Sequence, residues 1–216
     1  MLHIAVPHAK YTLVRTGDLS IFTFQRYDVK VMFLRNAFLV DTVTESIGRV
    51  LRLDSIETGD IWDFIEDGSN RYRDMNRLVA YEKGLKTWSK WVDENIDTNK
   101  TMLFFQGVSP DHLNGAKWGQ AGAKYCEGQM RPVSGLNYPG GAHPAELVLE
   151  KVLRSMSKPI YLLNITTLSQ LRKDGHPSVY GHGGHNDMDC SHWCLPGVPD
   201  TWNLLLYASL LHNYAL

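Results

Sequence analysis

The 216-residue chain is 44% hydrophobic and 21% charged, with 22 basic and 23 acidic side chains and a formal net charge of -1. That balance offers no basic surface to nucleic acid or to an anionic membrane, and the apolar content suffices for a packed core. No apolar run approaches the roughly 18 residues that a bilayer span needs, and Met1-Leu2-His3-Ile4-Ala5-Val6-Pro7-His8 lacks the basic-then-apolar order of a secretory signal.

The first third reads as β-structure. Leu19 to Phe24 and Val29 to Leu34 are rich in β-branched and aromatic residues, and Gln25-Arg26-Tyr27-Asp28 between them predicts a hairpin turn. Val50 to Ile56 adds a short strand. From Arg77 to Ile96 the residues Leu78, Tyr81, Leu85, Trp88 and Val92 recur at spacings of three and four, one face of an amphipathic helix. Thr101 to Val108 holds the unbroken apolar run Met102-Leu103-Phe104-Phe105, which suits a strand covered on both faces of a parallel sheet. Residues 109 to 142 read as loop. Pro144 opens a second helix with Leu147, Val148, Val152 and Leu153 on its apolar side, and Pro159 to Leu163 is another apolar strand. A short helix over Thr167 to Arg172, a glycine-rich loop over 180–188, and a last helix from Pro199 with Trp202, Leu205, Leu206 and Leu210 complete the chain. The helix-strand alternation predicts an α/β domain with parallel pairing, the whole of 1–216 forming one domain. In such sheets the working loops lie beyond the carboxyl ends of the strands.

Chemistry-bearing residues are densest from Gly181 to Cys194. Asp189 and His192 stand three apart; a carboxylate against an imidazole fixes its tautomer and lets it act as a general base toward a hydroxyl. The spacing alone also fits a solvated turn. His182, His185, Asp187, Asp189 and His192 match no common zinc spacing, so no metal site is expected, and His182 and His185 read as incidental loop histidines. His176, in Asp174-Gly175-His176-Pro177, reads as part of a structural turn. Trp88, Trp91 and Trp202, at helical spacing, read as core before sugar-stacking platforms. The cysteines Cys126, Cys190 and Cys194 are compatible with three reduced thiols or with one bridge and a thiol left over. Two sequons, Asn99-Lys100-Thr101 and Asn164-Ile165-Thr166, carry little information in a chain this long.

The run Asp189-Cys190-Ser191-His192-Trp193-Cys194-Leu195-Pro196-Gly197-Val198-Pro199-Asp200-Thr201-Trp202-Asn203 closely resembles the C-terminal signature of the plant trichome birefringence-like family. Leu163 to Ser178, Leu53-Asp54-Ser55-Ile56 and the helix with Trp88 and Trp91 resemble the same family. The resemblance implies an SGNH-hydrolase-like fold, a parallel sheet sandwiched by helices, and a Golgi enzyme that acetylates hydroxyls of wall polysaccharides such as xylan. It makes His192 the catalytic base and Asp189 its partner, with the acetyl group passing through a serine to a sugar. The donor, acetyl-CoA or an acetylated carrier, is then a substrate, and no tightly bound cofactor is expected. The resemblance also pairs Cys126 with Cys190 and leaves Cys194 as a free thiol.

Two departures from the family stand out. The chain has no Gly-Asp-Ser; Gly17-Asp18-Leu19-Ser20 comes near, but it leads into a strand, where the nucleophile should follow a strand and open a helix. The family's N-terminal cysteine-rich domain and membrane anchor have no counterpart either. Between Trp62 and Asp63 the family carries about twenty residues, including a core strand, so the expected domain is incomplete by an N-terminal block and one strand. Three functions follow as expectations: an O-acetyltransferase whose serine is absent here, an inactive fragment binding polysaccharide or a partner, or a polysaccharide acetylesterase.

Overall fold

The computed structural model describes residues 9–17, 19–34, 40–53, 63–181 and 188–214. The chain forms two compact units, Met1–Ile96 with Val152–Lys158 and Asp97–Lys151 with Pro159–Leu216.

In the first unit β1 (Thr12–Thr16), β2 (Leu19–Phe24) and β3 (Val29–Leu34) make an antiparallel sheet in that order. The expected hairpin joins β2 to β3 through a single 3-10 turn, Gln25–Tyr27, and Asp28 at φ 50°. Asp tolerates this left-handed region because its short polar side chain bonds locally. A second sheet orders β4 (Asp41–Glu45), β5 (Gly48–Arg52), β6 (Phe64–Asp67) and β7 (Asn70–Tyr72). β5 and β6 run parallel and the other neighbours antiparallel. The strand expected from Val50 therefore begins at Gly48 and ends at Arg52; the rest of that expectation, with the Asp54-Ser55-Ile56 motif and Trp62, lies outside the described residues. Arg52 and Arg71 sit between Glu45 and Glu66, N to O 2.7–3.4 Å, lacing β4 to β7 across the sheet. Val40, Leu51, Leu53 and Ile65 form the core below, joined by Met75 and Ala80.

The first long helix, α1 (Arg77–Asn95), matches its expected span to a residue. Asn76 caps it, its side chain accepting from the N–H groups of Leu78 and Val79, otherwise orphan donors of the first turn. Leu85 and Val92 are fully buried and Tyr81 and Trp88 half-buried, so the spacing identified the inner face from Tyr81 onward, while Leu78 in the first turn is exposed. Trp91 corrects the core reading: it is 42% exposed, one position off that stripe. α2 (Pro144–Ser155) buries Leu149 and Val152. Leu147, expected inside, is 56% exposed, because the buried pair sits three apart and Leu147 points well over 90° away from Leu149.

In the second unit β8 (Phe104–Gln106) and β9 (Tyr161–Leu163) pair in parallel, Phe104 opposite Tyr161 with their rings stacked at 5.3 Å. Both strands are shorter than expected, and Phe104 and Phe105 are half-buried where full cover was anticipated. α3 (Thr166–Gln170) follows β9 directly, and α4 (Val198–Tyr214) ends the described chain. Gly107 closes the sheet's carboxyl end: its N–H donates to Leu163 O at 2.9 Å, and a Cβ there would lie 3.0 Å from Thr166 Oγ1. The architecture is mixed α/β, with parallel and antiparallel pairing. No helix among the described residues is long and apolar enough to cross a membrane.

Candidate active site

Asp189 and His192 lie in a turn that is tied down at almost every residue, all within the second unit. Ser178 and Asp189 exchange both backbone hydrogen bonds, at 2.9 and 3.2 Å. Cys190 O accepts from His112 N–H at 2.9 Å, and Cys190 is bridged to Cys126. Trp193 Nε1–H donates to Ser109 Oγ at 2.7 Å, and Cys194 N–H donates to Gly175 O at 2.9 Å. Ser109 and His112 follow the carboxyl end of β8, the side on which parallel sheets place their chemistry. Two glycines are required by close approach. A Cβ on Gly181 would stand 2.3 Å from Asp189 Cβ, and one on Gly175 would stand 3.0 Å from Trp193 Cε3.

Within this frame His192 Nδ1 is 3.0 Å from both Oδ1 and Oδ2 of Asp189. Oδ1 also accepts from the backbone N–H groups of His192 at 3.0 Å and Ser191 at 3.3 Å. The Asp189 side chain is 12% exposed and that of His192 74%. Burial alone would raise the Asp189 carboxyl, but the hydrogen bonds from the backbone and ring of His192 outweigh it and hold the group below the ordinary carboxylate value. The carboxylate thus stays ionised and fixes the Nδ1–H tautomer. His192 Nε2, left as the basic nitrogen, has no hydrogen-bond partner among the described residues. An oriented imidazole with its free nitrogen toward solvent can take a proton from a hydroxyl and return it to a leaving group.

Cys126 and Cys190, the pair implied by resemblance, are joined, and Cys194 is an exposed free cysteine. Thiol titration of the unfolded, unreduced chain is expected to find one sulfhydryl; three would remove the bridge. Ser20 lies inside β2, paired with Arg15 and Phe33, which is no place for a nucleophile. His182, His185 and Asp187 lie outside the described residues, and among those described no three His, Cys, Asp or Glu side chains could hold a metal ion.

Sequence reasoning missed His112 altogether and gave His176 only a turn. The two rings are buried together, 1% and 6% exposed, beneath His192. They come from positions 64 apart, and no local pattern announces such a meeting.

Residues 57–209 match the GDSL/SGNH-like acyl-esterase family found in Pmr5 and Cas1p. The chain is 50% identical to Protein trichome birefringence-like 38 of Arabidopsis thaliana, the match covering 97% of this chain and 61% of that protein. It is 47% identical to Protein trichome birefringence-like 43 of the same plant, with 99% and 65% covered, and 38% identical to Protein trichome birefringence, with 88% and 37% covered. It thus spans less than two thirds of the length of these relatives. The first match extends over 234 residues although it takes in 97% of a 216-residue chain, so the relative has positions inside the matched region that are lacking here. With relatives at this identity over nearly its whole length, the chain belongs to the trichome birefringence-like proteins of the GDSL/SGNH-like acyl-esterase family.

Proposed function

We propose that His192 is the general base, and Asp189 the carboxylate that orients it, of a Ser-His-Asp O-acetyltransferase that acetylates hydroxyls of a plant cell-wall polysaccharide, xylan or a related chain, in the Golgi. The observation that supports this most is the 3.0 Å approach of His192 Nδ1 to both oxygens of an ionised, hydrogen-bonded Asp189. Within this reading a serine Oγ attacks the acetyl carbonyl of the donor, acetyl-CoA or an acetylated carrier, while His192 Nε2 takes the hydroxyl proton. Collapse of the tetrahedral adduct breaks the bond to the donor, and the proton passes from Nε2 to the leaving group. A sugar hydroxyl then attacks the acetyl-serine, giving its proton to Nε2, and the serine leaves as the alcohol with that proton. Asp189 stabilises the imidazolium in both steps and is never itself protonated.

The serine of this scheme is not in a Gly-Asp-Ser of this chain. The chain alone is therefore expected to turn over no acetyl donor, and turnover that His192→Ala abolishes would overturn that expectation. The positive test is a graft: the chain replaces the matched region of Protein trichome birefringence-like 38, whose remaining length is expected, from the family pattern, to carry the serine. A folded graft should move acetyl from donor to xylo-oligosaccharide and lose that activity with His192→Ala. Activity indifferent to His192 would reject the proposal, and release of acetate without acetylated sugar would select the acetylesterase. The missing Gly-Asp-Ser favours a second reading for the isolated chain, a non-catalytic polysaccharide binder, which titration with xylo-oligosaccharides distinguishes.

A further inference from the structure

Beneath the catalytic turn runs a short chain of polar groups that the scheme above does not use. His112 Nε2 meets Gln170 O at 2.8 Å, His112 Nδ1 meets His176 Nε2 at 2.7 Å, and His176 Nδ1 meets His192 O at 2.6 Å. Gln170 is the last residue of α3, so its carbonyl is one of the orphan acceptors of a helix end. His192 O belongs to the backbone of the proposed base itself.

The protons can be counted. Both end partners are carbonyl oxygens, which only accept, so His112 Nε2 and His176 Nδ1 must each carry a hydrogen. The bridge between the rings needs one more. Two neutral imidazoles have two N–H groups between them, which serves two of the three bonds. With only two, the bridge brings two lone pairs face to face at 2.7 Å, or one carbonyl goes without its donor. In a buried site no water replaces the missing partner, so such an unmet group is costly.

We propose that the buried His112–His176 pair takes up a third proton, and that in this singly charged form it is a brace that sets the position of His192 through its backbone carbonyl. The surroundings suit a cation. The indole of Trp193 lies over the His176 ring, centroids 4.1 Å apart and planes 33° from parallel, within the range at which an aromatic face attracts a cation. Trp118, Tyr138 and Trp193 enclose the His112 ring at 5.5, 6.3 and 6.2 Å.

Other charged groups divide. Burial is the largest influence and opposes the charge, pushing His112 down to about 4 and His176 below the ordinary histidine value. The Lys173 ammonium also opposes it at His112. The carbonyl of Gln170 and the Asp111 carboxylate favour it at His112; the carbonyl of His192 and the carboxylates of Asp189, Asp111 and Asp174 favour it at His176. Tyr138, itself raised to about 12 by burial, stays neutral. The sign follows from the net lowering: the third proton is bound on the acid side and leaves as pH rises, and the brace is lost with it. His112 and His176 are therefore positioning residues, acting on the base through its backbone.

What the brace serves rests on reading His192 as the base, but the test does not need an acetyl donor, so failure of either idea is recognised separately. In the ¹³C,¹⁵N-labelled chain, long-range ¹H–¹⁵N spectra count the N–H groups on the two rings while pH is raised through about 3 to 8, a range that holds both the lowered His112 value of about 4 and the ordinary histidine window. On the acid side three of the four nitrogens should be protonated, one proton coupling to both rings. Raising the pH should remove one of the three and shift the carbonyl carbon of His192 at the same midpoint. Two protons throughout, or a loss that leaves the His192 carbonyl signal still, would overturn the proposal. His176→Asn keeps an amide N–H for His192 O but no bridge, so the carbonyl shift should become independent of that titration. Persistence of the same pH midpoint in this variant would also overturn it. If the variant does not fold, the proton count in the unaltered chain decides alone.

Discussion

In the graft described above, Asp189→Asn is expected to lower kcat about 10⁴-fold, close to 5.5 kcal/mol of barrier, with KM little changed. The variant keeps the local frame, because an asparagine Oδ1 can still accept from the backbone N–H groups of His192 and Ser191, which donate to Asp189 Oδ1 at 3.0 and 3.3 Å. What changes is the other half of the side chain. An amide nitrogen donates, so Nδ1, 3.0 Å from both side-chain positions, now faces one acceptor and one donor, and accepting from that donor moves the ring proton to Nε2. The nitrogen that should take the serine proton is then already protonated. Unfolding of the variant, followed alongside, separates the two causes: a loss this size in kcat with normal unfolding behaviour identifies the tautomer and not lost stability. A drop below tenfold would mean that Asp189 does not orient the base. His192→Ala, which removes the base itself, should cost about 10⁶-fold. Because the carboxyl of Asp189 is held below its ordinary value, its contribution to stability is fully present above that value and fades only as pH falls through the lower one. Changes in activity near neutrality therefore belong to other groups.

What could be read in the chain depended on how local its cause was. α1 was legible because its apolar spacing lies within the segment, and the helix formed over Arg77–Asn95. The β2–β3 hairpin was legible for the same reason, with Asp28 able to take the left-handed turn position. β4, β6 and β7 were not. β7 has three residues and β6 four, and β4 reads Asp-Thr-Val-Thr-Glu, polar at both ends. β4 and β6 are strands because β5 supplies a partner, and β7 because β6 does; Arg52 reaches Glu66 and Arg71 reaches Glu45, 26 positions away, and no short window of sequence contains such a pair. The site divides likewise. Asp189 and His192 are three apart in a turn and could be named; their mutual approach is a property of that turn. The His112–His176 pair is made by tertiary folding alone, joining the loop after β8 to the turn after α3. Leu147 shows the opposite limit: hydrophobic character marked it for the core, and helical phase put it in solvent.

Removing the Cys126–Cys190 bridge should destabilise the chain by about 4 kcal/mol, the loop-closure entropy of the unfolded state for a separation of 64 residues. That is a large share of the roughly 5–15 kcal/mol that hold a typical domain together. Both sulfurs are buried, with Cys126 and Cys190 at 2% and 1% exposure, so the loss adds a packing defect to the entropy. The measurement is denaturant unfolding of the Cys126→Ala, Cys190→Ala double variant against the unaltered pair. Both should carry Cys194→Ser, since an exposed thiol four residues from Cys190 can exchange into the bridge and blur the comparison. A difference below about 1 kcal/mol would show that the unfolded chain is already restrained between these positions. The site should register the change as well. Cys190 O receives the His112 N–H at 2.9 Å and Cys190 Sγ the Cys126 N–H at 3.0 Å, so the bridge anchors the residue beside Asp189 and the ring that begins the brace. Cutting it frees one end of the turn while Ser178, Ser109 and Gly175 still hold the rest. The double variant should therefore remain folded in mild conditions, with the His192 Nδ1–H resonance broadened before global unfolding. Loss of that resonance only at the global midpoint would place the bridge's effect wholly in the unfolded state.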